Sequence, residues 1–179
     1  MDDNLLVLVL VAVTFAAALN LWLTFRLATR FRQFTAPAFT IPLGQPVAPF
    51  EGTARAQSRA IRSSDLAGRP TALVFLSPGC KTCAGHVPEL IDAARGAERL
   101  GVDLWIVPND EVHDIDRLVA GTSLAERVLI LDASARLRLN PQRAAPFYLF
   151  IDEASTALAS NTLGDEDWQT FVEQMRASA

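Results

Sequence analysis

The stretch Thr71-Ala-Leu-Val-Phe-Leu-Ser-Pro-Gly-Cys-Lys-Thr-Cys83 decides how the rest of this chain reads. Thr71 to Leu76 is a continuous apolar run, the pattern of a strand buried on both faces. Ser77-Pro78-Gly79 then forces a turn. From Lys81 to about Arg99 the apolar residues Val87, Leu90, Ile91, Ala94 and Leu100 recur by threes and fours, as on the inner face of a helix. Two cysteines therefore stand where a buried strand hands over to a helix.

Working outward, Val102 to Val107 reads as a second buried strand. A weak helix follows near Ile115 to Ala120, and then the short apolar run Val128 to Leu131. The order strand, helix, strand predicts a right-handed parallel unit. Phe147 to Ile151 is another apolar run, with a turn at Asp152 to Ser155 and a partner strand at Thr156 to Ser160, the signature of a hairpin. Asp165 to Met175 brings Trp168, Phe171, Val172 and Met175 onto one helical face, with acids at the start where the helix dipole favours them. There are no internal repeats. The expectation is an α/β domain with a central mixed sheet flanked by helices.

Before this domain, Leu5 to Phe25 is 21 residues without a charge, broken only by Thr14, Asn20 and Thr24. At about 1.5 Å per residue such a helix spans the roughly 30 Å hydrocarbon core of a bilayer. Asp2 and Asp3 at the start, and the length of the run, favour a retained transmembrane helix over a cleaved signal. Pro37, Pro42, Pro46, Pro49 and Gly44 then make a semi-extended connector. The map is an anchor at 1–32, a Pro-rich linker at 33–49 and the domain at 50–179. Arg26, Arg30 and Arg32 follow the apolar run, which by the positive-inside tendency argues for a cytoplasmic domain.

Sixteen basic against twenty acidic residues leave a net charge of -4. With no basic run, nucleic acid is excluded as the natural partner. The two cysteines are too few for a disulfide scaffold and too close to staple a long loop. Their position supplies a chemical reading. Unpaired N–H groups and the positive dipole end at a helix start stabilise a thiolate, so Cys80 becomes the nucleophile, with the Lys81 cation beside it. Cys83, one turn in, is placed to attack the mixed disulfide, a two-electron exchange that needs no cofactor beyond the Cys80–Cys83 disulfide itself. Half a zinc site is disfavoured because only His86 and His113 could complete it. Cu(I) capture by the thiolates with a histidine stays as the alternative, a metallochaperone without turnover.

The segment from Leu73 to Cys83, with Pro88 and then Ala145-Pro146-Phe-Tyr-Leu-Phe-Ile-Asp152, resembles the thioredoxin-like superfamily, in particular its membrane-anchored branch of the TlpA and ResA kind. It is most similar to the methylamine utilisation accessory proteins called MauD, through the anchor, the Pro-rich connector, the Ser-Pro-x-Cys-x-x-Cys motif and the late proline. The likeness covers roughly Gly44 to Met175. It implies a thioredoxin-like fold, with Cys80 attacking and Cys83 resolving. Pro88 matches the proline that kinks the active-site helix, and Pro146 a cis-proline facing the cysteines, with the Ala145 backbone offered to a bound peptide. It also implies a protein client with thiols or a disulfide, a membrane redox partner that recharges the pair, and a periplasmic domain on a single-pass anchor in a bacterial cytoplasmic membrane. Two positions depart from the pattern. Val74 replaces the buried acid that many thioredoxins carry six residues before the first cysteine, and Gly79 replaces the tryptophan that commonly precedes it.

Overall fold

The computed structural model describes residues 41–109 and 112–177. The expected anchor at Leu5 to Phe25, the linker as far as residue 40 and the side chain of His113 lie outside the described residues. Among those described, no helix is long and apolar enough to cross a membrane.

The last part of the Pro-rich stretch lies against the domain. Gly44 N–H donates to Ala157 O at 2.8 Å, and Val47 N–H to Ser155 O at 2.8 Å. A hairpin follows, β1 (Glu51–Ala54) and β2 (Arg59–Arg62), which turns inward only Gly52, Ala54 and Ile61. β3 (Thr71–Leu76) is buried along its whole length. The turn at Ser77 to Gly79 leads into α1 (Lys81–Leu100), which ends where Gly101 takes up φ +71° and caps with its N–H. β4 (Asp103–Pro108) returns parallel to β3, with Leu73 opposite Trp105. α2 (Val112–Val119) buries Ile115 and Val119, and β5 (Leu129–Leu131) pairs antiparallel with β1. α3 (Ala133–Leu139) begins at Asp132, whose carboxylate accepts the Ala135 N–H at 2.8 Å. β6 (Phe147–Ile151) and β7 (Ala157–Thr162) form the expected antiparallel hairpin, and α4 (Glu166–Ala177) closes the described chain.

The main sheet runs β4-β3-β6-β7, and β2-β1-β5 adjoins it through a parallel bridge between Ile106 and Val128. Alternation along the strands divides the apolar run between two cores. Ala72, Val74 and Leu76 face Cys83, Leu90, Trp168 and Met175 from α1 and α4. Leu73 and Phe75 face Ile61, Ala135 and Leu139 on the other side.

Three readings need correction. Leu100, expected on the inner face of α1, is 49% exposed. The helix ends there, and its buried stripe runs instead through Cys83, Leu90, Ala93, Ala94 and Ala97. The run at Val128 to Leu131 divides: Val128 bridges Ile106 in parallel, as the unit requires, while Leu129 to Leu131 pair antiparallel with β1. Both the β1–β2 hairpin and α3 are additional to the expected elements. Elsewhere, α4 packs on the sheet as the sequence expects, and it comes so close to α1 that a Cβ on Gly96 would stand 2.1 Å from Met175 O.

Candidate functional site

β3 delivers the chain to Cys80, and the turn is pinned where the Cys80 N–H donates to Ser77 O at 3.0 Å. Cys80 is the N-cap of α1, with extended backbone, and its sulfur accepts the Cys83 N–H at 3.3 Å. A cap position normally goes to an oxygen side chain that satisfies one of the orphan donors of the first turn, and here a sulfur does so. Cys80 is partly exposed and Cys83 fully buried, both as thiols.

The two thiols are pushed apart electrostatically. Burial alone would raise Cys80, but hydrogen bonds from Cys83 and Thr82 outweigh it and leave Cys80 below the ordinary thiol value. Burial, followed by the hydrogen bond with Cys80, pushes Cys83 up to about 12. Lys81 has an exposed side chain; the groups that lower Cys80 are Cys83 and Thr82. Pro88 sits inside α1, exposed, and its missing N–H leaves Ala84 O without the usual helical partner, while the helix continues to Leu100.

Across from the pair, the Ala145–Pro146 peptide bond is cis, and the Cys80 thiol donates to Ala145 O at 3.7 Å. Chain positions 80 and 145 are thus brought together by the β3–β6 pairing. Val74 is fully buried opposite Tyr148, with no carboxylate in its place. Tyr148 is itself buried and donates to both oxygens of Asp165 at 3.0 Å. Gly79 leaves space, because a Cβ there would meet nothing within 4 Å. A cavity of about 270 Å³ opens there, lined by Pro78, Gly79, Arg117 and Leu118. His86 turns toward Glu89, 3.7 Å from Nδ1 to Oε2, and Glu89 also accepts from the Trp168 indole. Among the described residues no three His, Cys, Asp or Glu side chains gather as metal ligands, so Cys80, Cys83 and His86 do not form a three-ligand site.

Sequence reasoning missed two side chains at the site, Asn109 and Asn140, which grip the loop before Ala145. Asn140 is 1% exposed. Its only sequence signal is the Asn140-Pro141 dipeptide, which marks a turn without saying what the amide holds.

No family model matches the chain, and no curated protein matches it. Solved structures do resemble it. The thioredoxin domain of a thiol-disulfide oxidoreductase from Bacteroides vulgatus is 15% identical, with a TM-score of 0.61 over 75% of this chain and 98% of that one. A Chlorobium tepidum protein assigned as thiol:disulfide interchange protein DsbE is 18% identical, with a TM-score of 0.63 over 78% and 99%. The exposed lipoprotein thioredoxin of Streptococcus pneumoniae is 19% identical, with a TM-score of 0.55 over 73% and 99%. At these identities the likeness speaks to architecture, and it establishes that the fold of this chain is thioredoxin-like.

Proposed function

We propose that the chain is a membrane-anchored thiol–disulfide oxidoreductase that exchanges disulfides with a protein client through Cys80 and Cys83. The carrying observation is the asymmetry of the pair: a partly exposed N-cap thiol held below its ordinary pKa, and a buried one pushed up to about 12. The thiolate is the nucleophile in exchange, so attack falls to Cys80. Its sulfur bonds to one client sulfur, the client S–S bond breaks, and the departing client thiolate takes a proton from water. Cys83 then gives up its proton and bonds to Cys80 Sγ, releasing the second client thiol. Two electrons have passed from the pair to the client, and the reverse sequence runs from the Cys80–Cys83 disulfide.

The second step carries the larger proton demand, because Cys83 must ionise from a pKa pushed up to about 12. Forming the mixed disulfide removes the Cys80 charge, which lifts the coulombic part of the burden on Cys83 but leaves its burial. With Val74 in place of an acid, no carboxylate on β3 accepts that proton. Ala145 and Pro146 dock the client backbone, and the cavity beside Gly79 takes a client side chain next to its cysteine.

The apolar run at Leu5 to Phe25 and the likeness to the MauD and TlpA or ResA kind support a periplasmic domain on a bacterial cytoplasmic membrane. There the client is a disulfide-rich enzyme subunit under maturation or an apocytochrome, and a membrane redox protein recharges the pair. Replacing Cys80 by Ser abolishes exchange, while Cys83→Ser accumulates a client mixed disulfide on non-reducing gels. Turnover by the Cys80 variant at the wild-type rate sinks the reading. Labelling of Cys80 in spheroplasts by a membrane-impermeant maleimide tests the side, and protection until lysis places the domain in the cytoplasm instead.

A further inference from the structure

Asn140 ends α3 and spends its whole side chain on two neighbours. Its Nδ2 donates to Ala144 O at 2.9 Å and to Asn109 Oδ1 at 3.0 Å, and its Oδ1 accepts the Ala144 N–H at 3.0 Å. Asn109, just past β4, donates from Nδ2 to the same Ala144 O at 2.7 Å and to Arg143 O at 3.1 Å. Ala144 is held at both its N–H and its C=O, by side chains standing in for a ladder strand. The loop needs such partners, because it joins β6 only at Phe147 and Pro146 has no N–H to give.

One further bond connects this grip to the cysteines. The Asn109 backbone N–H donates to Leu76 O at 2.9 Å, at the end of the strand that leads into the Cys80 turn. Asn109 therefore ties the last residue of β3 through its backbone and the Ala144 loop through its side chain. Cys80 stands four residues beyond the first tie and Ala145 one residue beyond the second. The 3.7 Å between Cys80 Sγ and Ala145 O is the gap between those two segments.

We propose that Asn109 and Asn140 are positioning residues for the exchange reaction, fixing the Ala145 carbonyl against Cys80 and so setting both client docking and the readiness of Cys80 to ionise. This rests on the oxidoreductase reading above, with Ala145 as the docking backbone. Loosening the clamp moves the carbonyl away, so the Cys80 thiol loses its acceptor and a client strand loses a fixed partner. Among the described residues, Cys83 and Lys81 on α1 and Arg117 on α2 are the other ionisable neighbours, and substitution at Asn109 leaves them in place.

The test uses the full chain in detergent. Asn109 is half-buried, so Asn109→Ala is the working variant; Asn140→Ala, at a buried position, is the stronger but less foldable one. Ile61→Ala, in the core across the sheet, serves as the control for lost stability alone. Two quantities are read: the pH midpoint of Cys80 alkylation, and KM against kcat for a peptide carrying one internal disulfide. The clamp predicts a lower alkylation midpoint and a KM raised about fivefold in Asn109→Ala, the scale of one hydrogen bond, with both unchanged in Ile61→Ala. If Asn109→Ala melts earlier yet keeps the wild-type midpoint and KM, the asparagines only stabilise the loop and the proposal is overturned. If the wild-type chain turns over no disulfide, the oxidoreductase reading fails by itself, and the alkylation midpoint, which needs no client, still decides the clamp.

Discussion

Gly79 stands just before α1 and Gly96 lies in its last turns, and the space beside each differs completely. A Cβ on Gly79 would meet nothing within 4 Å, whereas one on Gly96 would stand 2.1 Å from Met175 O and 2.8 Å from Met175 Cα. At the front of α1 the missing side chain leaves a cavity open beside Cys80; at the back it is filled by another helix. The same residue type thus serves access at one end and close packing at the other. On the proposed exchange function, a thiol that meets large clients needs the first, and a helix start that holds its sulfur in one place needs the second. The helix that carries the reactive turn is packed tightly well behind it.

The largest effect should appear in the thiols at the open end. With Cys83 pushed up to about 12, about one in ten thousand of its sulfurs is ionised at pH 8. Cys80, held below the ordinary thiol value by the bonds from Cys83 and Thr82, is the thiol that ionises first. Alkylation of the reduced chain followed by peptide mapping should put nearly all label on Cys80, with its rate rising at a pH below the ordinary thiol value. Equal labelling of both cysteines at pH 8 would erase the distinction between an open front and a closed interior. Next in size is the closed end. Gly96→Ala forces α4 away from α1, and because the obstruction is backbone, no side chain can rotate to relieve it. Overpacking of this kind costs about 2–3 kcal/mol, which at about 3 °C per kcal/mol lowers Tm by about 6–9 °C.

How much of this was legible in the sequence depended on how locally each feature is encoded. Thr71 to Leu76, the α1 stripe and the Trp168 face announce themselves because a deeply buried element must carry dense, periodic apolar residues. The β1–β2 hairpin carries hardly any: Arg59, Arg62 and Glu51 point outward, and its pairing with β5 spans far too much chain for local pattern to reveal. α3 commits only Ala135 and Leu139 to the core, too little for a helical signal. Periodicity places Leu100 inward because it does not say where a helix stops, though Gly101 marks the end. At the site, Cys80 and Cys83 are readable since they stand only three positions apart. The Asn109–Asn140 contact bridges 31 positions and left no mark in spacing. The weight given to Lys81 shows the same limit, since the N–H that reaches the Cys80 sulfur is fixed by the turn's geometry and not by which cation follows it.

A smaller effect sharpens the contrast from the side of the core. The Tyr148 hydroxyl is the one polar handle of a wholly buried ring, and burial together with the Asp165 carboxylate holds the phenol above its ordinary range, so it remains a donor. Tyr148→Phe removes that donor but leaves Asp165 its bond from the Trp168 N–H at 2.9 Å, so the loss should be about 1.5 kcal/mol in chemical denaturation. A variant as stable as wild type would mean the carboxylate is solvated rather than bound.

The smallest change in stability, and the one with the opposite sign, belongs to Gly79. Its φ is not positive, and an added methyl group touches nothing, so the folded state gives glycine no advantage there. Alanine narrows the unfolded ensemble without straining the native one, and Gly79→Ala should therefore raise stability by about 0.5 kcal/mol while Gly96→Ala lowers it. Gly79→Trp then isolates the use of the space: the ring fills the cavity bounded by Pro78, Arg117 and Leu118 with the fold intact. Exchange with a folded client should slow about tenfold through KM, as expected for losing a side-chain pocket worth about 1.4 kcal/mol. If the tryptophan variant handles clients at the wild-type KM, the cavity is only a gap in the surface, and the openness at the front of α1 serves Cys80 alone.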